Sequence, residues 1–200
     1  MFTLCPSEHD FLPTVDILLK AIGGAGALYL FFVGIKRYSK DQVWKRSEFI
    51  AKEIKEFTSD KKVIASLYML DWSARYIELF PDKEKYDERF HKVDRAILIL
   101  ALQIHEDRIK VGSEDRFTRV EVAIRDHFDQ FLFYLERFSL FIELNLISAD
   151  ELKPYLEYWI LGIANDIESE LRDALYRYIK FYKFKGVVKL FSCYQIDITP

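Results

Sequence analysis

Apolar residues run almost unbroken from position 15 to position 35 and then recur at three- and four-residue spacing. The chain therefore reads as one unusually hydrophobic helix followed by a series of amphipathic ones. Residues 21–35, AIGGAGALYLFFVGI, are fifteen in number and carry no charge. At about 1.5 Å per residue they cover roughly 22 Å, short of the ~30 Å hydrocarbon slab of a bilayer. Starting instead at Val15 gives about 31 Å and admits Asp16 and Lys20. These two are one helical turn apart and so can pair, and Lys20 can snorkel to the near interface.

Beyond the apolar run, Val43, Phe49, Ile50, Ile54 and Phe57 share a helical face, so the first helix is expected to continue over residues 42–57. The sequence TSDKK then offers Ser59 or Asp60 as a cap for a second helix over 63–80, closed by Pro81. A third helix is expected over 81–107, with residues 96–102 deeply buried. Gly112 is the next stop and Ser113 the next cap. A long fourth helix covers 116–146. Ser148 and Glu151 form a capping box that restarts the chain, with Pro154 in about the first turn. The last long helix is expected to reach Phe184 and end at Gly186. Residues 187–198 read as a short strand or a further helical turn, with no partner strand evident.

The expected class is all-α: an N-terminal single transmembrane helix continuing into a cytosolic antiparallel helical bundle. The corresponding divisions are an outer tail at 1–13, the membrane helix at 14–37 and a cytosolic domain at 38–200.

The charges around the apolar run give its orientation. Lys36, Arg37, Lys40, Lys45 and Arg46 follow it, opposed only by Asp41, whereas Glu8, Asp10 and Asp16 precede or open it. The positive-inside rule then places the N-terminus outside the inner (plasma) membrane and the C-terminal domain in the cytoplasm. A cleaved signal peptide fits less well, because its basic residues precede the apolar stretch. Half the residues are hydrophobic and 16% aromatic, which is ample to bury a core and argues against disorder. The net charge of −3 makes a nucleic-acid partner unexpected. Cys5 and Cys193 lie at opposite ends and form no CxxC pair, so a zinc ribbon or thioredoxin-like site is not expected.

Interaction motifs are clearer than chemical ones. Gly23 and Ala27 make a small-xxx-small pair that Gly24 and Gly26 broaden, the pattern of a helix-packing seam in lipid. Asp16 and Lys20 are an intramembrane ionisable pair. Arg177, Lys180, Lys183, Lys185 and Lys189 interleave with five aromatics over 176–189. With Lys36, Arg37 and Lys40 they form a basic set suited to an anionic cytoplasmic leaflet. Membrane lipid, further copies of the chain and a protein on the cytosolic bundle are the expected partners.

Residues 124–160, IRDHFDQFLFYLERFSLFIELNLISADELKPYLEYWI, combine an apolar-aromatic helix, Glu136 near its centre, a turn at 145–148, an acidic helix start and an aromatic run. In this the chain resembles a family of microbial proteins of unknown function with one N-terminal membrane helix and a cytosolic helical domain. The resemblance implies an architecture and no reaction.

No catalytic constellation is evident, and neither enzymatic activity nor a cofactor or metal is expected. Glu88 and His91 form one Glu-x-x-His pair, but a di-iron bundle needs two. RNA-cleaving HEPN helical domains carry an Arg followed four to six residues later by His. Here seven residues separate Arg119 from His127 and one separates Arg125 from it. The expected function is membrane-anchored self-assembly or partner binding, with an oligomeric pore or antiviral-defence effector as its specialised form. A membrane-anchored HEPN-like RNA-binding or RNA-cleaving protein is the alternative.

Overall fold

A computed structural model describes residues 11–106 and 116–198, the side chains of 11–19, 21–23, 25 and 27 excepted. Gly112, Ser113 and Cys5 lie outside the described residues. Among the described residues 76% are helical, in eight helices, so the all-α expectation holds at that level. It forms two compact units, Met1–Glu48 and Phe49–Pro200.

The first helix, α1, spans Phe11–Ser59. Within the first unit every described side chain from Leu28 to Glu48 is exposed. Among the described residues no helix is long and apolar enough to cross a membrane. The expected crossing over 14–37 therefore reduces to a helix whose described apolar side chains run from Leu28 to Ile35.

The second unit is built around α5 (Arg119–Glu143). Against it pack α2 (Lys61–Asp71), α4 (Arg95–Leu102) and α8 (Lys185–Cys193), while α7 (Ser169–Phe181) lies on α4. The end of α1 joins through aromatic rings. Phe57 sits 5.5 Å from Phe138, 5.6 Å from Tyr134 and 6.2 Å from Phe131, and Phe49 sits 5.0 Å from Phe141. Such edge-on and tilted pairs add to the burial of the rings themselves.

Capping fixes several boundaries. Asp60 accepts the N–H groups of Lys62 and Val63 at 2.8 and 3.3 Å and so starts α2. Thr118 with Glu121 opens α5, and Ser148 with Glu151 opens α6 (Ala149–Leu161), both as capping boxes.

Four expectations are corrected. The segments over 63–80 and 81–107 are not continuous helices. After α2 comes a hairpin in which β1 (Ala74–Glu78) pairs antiparallel with β2 (Phe90–Asp94), Ile77 opposite His91, with α3 (Tyr86–Arg89) leading into β2. In Ala74–Leu79 the buried positions are Ile77 and Leu79, two apart, which is a strand's spacing rather than a helix's. The last long helix is interrupted by a π turn at Gly162–Asp166. Of the two readings of residues 187–198 the helical one holds, since α8 spans Lys185–Cys193 and residues 194–198 lie beyond it. Pro154 lies a turn deeper than expected, at the sixth residue of α6.

Gly186 does not end a helix. α7 ends at a left-handed Lys183 (φ 61°), with the Lys183 N–H on the Lys180 carbonyl and the Phe184 N–H on the Ile179 carbonyl. That is a Schellman motif, whose left-handed position favours glycine. Asn145 (φ 55°) and Gln195 (φ 62°) close α5 and α8 in the same manner. Lys183→Gly is expected to raise unfolding free energy by about 0.5–1 kcal/mol, the relief of the left-handed conformation outweighing the looser unfolded chain. Urea unfolding of the two proteins checks this; an unchanged or lower midpoint contradicts it.

Candidate functional site

The candidate residues fall in three places. The first is the surface of α1. Leu28, Tyr29, Leu30, Phe31 and Phe32 are each 61–69% exposed, and Val33 and Ile35 are exposed as well. Six consecutive positions at 3.6 residues per turn point in every direction, so this helix is apolar all round. Lys36, Arg37 and Lys40 follow directly and are exposed. A Cβ built on Gly24 or Gly26 meets nothing within 4 Å, so this part of the small-residue seam is open. Lys20 is exposed; the side chains of Asp16, Gly23 and Ala27 lie outside the described residues.

The second place is the basic stretch 176–189, which the structure divides. Arg177 and Lys180 stand on the outer face of α7, Lys183 is the left-handed closing residue, and Lys185 and Lys189 sit one turn apart on α8. All five are exposed, and Lys189 holds Glu143 at 2.7 Å. The interleaved aromatics do not share that surface uniformly. Tyr176 and Tyr178 are buried and Phe184 packs on the core, leaving Phe181 and Tyr182 outside. The expected basic-aromatic footprint is thus basic with two aromatic rings. Beside it Glu136 of α5 accepts the N–H groups of Gly186 and Val187 at 2.6 and 3.1 Å, capping α8 from a distant part of the chain. A Cβ at position 186 would come within 3.1 Å of the Glu136 carboxyl carbon, which accounts for the glycine.

The third place was not legible as a site in the sequence. A cleft of about 360 Å³ opens between α2, the β1–β2 hairpin and α5. Ile64, Ala65, Leu79 and Phe90 supply apolar wall, and Lys61, Lys62 and Arg75 supply positive charge. Arg75 stands 3.9 Å over the ring of Tyr68 and 5.2 Å from that of Trp72. The carboxylate in the lining, Glu78, is engaged by Arg89. His127, only 6% exposed, also lines the cleft. Its Nδ1 lies 2.6 Å from the Ala123 carbonyl oxygen. A carbonyl only accepts, so Nδ1 carries the proton and Nε2 keeps its lone pair. Burial holds the imidazole pKa below its usual value, with Lys62 acting in the same direction, while the Ala123 bond and Asp126 and Asp60 oppose it. The local signal in the sequence is weak, a two-residue alternation of buried positions in RYIEL, and the wall forms because this strand pairs with Phe90–Asp94.

The arginines near His127 are engaged elsewhere. Arg125 donates to the carbonyls of Ala101 and Gln103 at 2.7 and 3.1 Å, closing α4. Its guanidinium lies 4.2 Å from the Phe117 ring and 4.8 Å from Tyr178, and it bonds the Tyr182 hydroxyl at 2.5 Å. Arg119 lies 4.3 Å over Phe80. Tyr178 donates to Asp129 at 2.6 Å, and burial pushes its phenol far above the usual range. Glu88 and His91 fall on α3 and β2, so their three-residue spacing does not put them on one helical face. Among the described residues no group of His, Cys, Asp and Glu is placed to hold a metal ion. Compared with family models, with curated proteins and with solved structures, the chain matches none.

Proposed function

We propose that this is a single-pass membrane-anchored protein of the inner membrane, N-terminus outside. In this reading the helical domain assembles with further copies or a protein partner at the cytoplasmic face. The observation that carries it is the apolar surface of α1, exposed in all directions from Leu28 to Phe32 and followed at once by Lys36, Arg37 and Lys40. A helix hydrophobic all round has no solvated face and is stable where lipid or protein covers it. The fifteen uncharged residues fall short of a full crossing alone, and Lys20 reaching back to the interface supplies the remainder. The open side of Gly24 and Gly26 is where a neighbouring helix approaches closely. Arg177, Lys180 and Lys185 then add attraction to anionic headgroups, about 1 kcal/mol for each cation at the surface.

The test is fractionation of the full chain. The intact protein is expected in the membrane pellet, resisting alkaline carbonate. Leu30→Asp with Phe32→Asp is expected to move most of it to the supernatant, since an acid costs roughly 2.5–3.5 kcal/mol at a bilayer's centre, less toward the interface where these two lie, and the two costs add. An intact protein that stays in the supernatant, monodisperse without detergent, overturns the reading.

A further inference from the structure

The cleft between α2, the hairpin and α5 has features that packing alone does not account for. Its walls are apolar and its one buried polar side chain is His127. The charge at its edge is cationic: Lys61 and Lys62 are exposed, and Arg75 is half-buried against Tyr68. Glu78, the acid among the lining residues, is engaged by Arg89, so the lining itself presents more cations than free acids, while Asp60 and Asp126 stand behind it within reach of His127. Small-molecule sites are mostly apolar clefts of about 300–1,000 Å³ with a few polar groups that fix orientation. This cleft, at about 360 Å³, falls at the small end of that range.

We propose that this cleft binds a small molecule with a flat apolar body and an anionic end, the body lying against Ala65 and Phe90 and the anion at Arg75 and Lys62. Charge complementarity selects the anion. Arg75, its guanidinium carbon 3.9 Å over the Tyr68 ring, carries the planar fork that pairs with phosphate or carboxylate oxygens in two places. The small side chain of Ala65 leaves the depth that a ring occupies. The Nε2 lone pair of His127 accepts a hydrogen bond from a hydroxyl or N–H on the body. A substrate or an effector meets the same chemistry. The site stands apart from the anchor reading, since all of its residues belong to the second unit.

The probe is 1-naphthyl phosphate, with neutral 1-naphthol and inorganic phosphate as partial ligands. Binding to the full-length protein in a neutral detergent is followed by naphthyl fluorescence anisotropy against a detergent blank. The phosphate ester is expected to bind more tightly than either part. Arg75→Glu and Lys62→Glu are each expected to weaken it about tenfold, and Ala65→Phe to abolish it by filling the cleft. Lys153→Glu, on the exposed face of α6, is expected to change nothing. Because Ala65→Phe can unfold the domain, a second readout uses the wild type: in histidine-labelled spectra the ring current of the bound naphthyl group shifts the His127 resonance on titration and leaves that of exposed His105 in place. Three results overturn the proposal. They are no binding up to millimolar probe, 1-naphthol binding as tightly as the phosphate, or binding that all three cleft substitutions and the His127 signal leave unaltered.

Discussion

Phe57→Ala is expected to lower the unfolding free energy by about 3–5 kcal/mol. Phe57 is 1% exposed and is the residue through which the end of α1 enters the core, ringed by Phe131, Tyr134 and Phe138 of α5. Truncation removes the transfer energy of the ring and leaves a cavity whose walls are themselves large rings on a rigid helix, so little can collapse into it. Urea unfolding of the domain should show a much lower midpoint with an unchanged slope. Phe133→Ala supplies the contrast. Phe133 is on the same helix but 57% exposed, and its loss should stay within about 0.5 kcal/mol. Equal effects at the two positions would refute this account of where the core lies.

Arg137→Ala is expected to cost about 3 kcal/mol, an effect of a different kind. The Arg137 guanidinium bonds the carboxylate of Glu53 and, at 2.8 Å, that of Glu56, tying α1 to α5. Glu53 is nearly buried, and removing its cation leaves a carboxylate with neither water nor a counter-charge. The damage should therefore be largely reversed by removing the acid too. Arg137→Met with Glu53→Leu is expected within about 1 kcal/mol of wild type. A double variant as unstable as the single one would assign the loss to packing.

The pair also carries a pH signature. The hydrogen bond from Arg137 holds the Glu56 carboxyl below its usual pKa, against a smaller opposing effect of burial. The unfolded state then binds more protons than the folded one as the solution is acidified. This contribution is present at neutral pH and is lost as pH falls through the ordinary carboxylate range, near ~4.3, toward the lowered value. Arg137→Ala should flatten that acid limb.

Much of the architecture was legible because the rules involved are local. Capping by Asp60 and by Ser148 with Glu151, and the continuation of α1 to Phe57, follow from spacing and side-chain chemistry within a few residues. What escaped was non-local. Residues 74–80 contain Ile, Leu and Phe at spacings a helix also tolerates, and only pairing with 90–94 makes them a strand. The left-handed Lys183 carries no glycine to announce it, and the glycine nearby, Gly186, answers instead to Glu136 fifty positions earlier. The cleft was hidden for the same reason: its walls come from α2, the hairpin and α5, which are far apart in sequence. The basic stretch was legible as charge, but not which of its rings face inward.

The bond between Glu136 and the start of α8 sets an order of events. A nine-residue helix is too short to persist in water alone, and its first free amides are received by a carboxylate that emerges long before them during synthesis. Until residue 187 has left the ribosome, Glu136 stands on α5 without its donors. The C-terminal segment is thus the closing piece of the domain, and a chain cut short before it would carry an unanswered acid on its central helix, a mark by which an unfinished copy differs from a finished one.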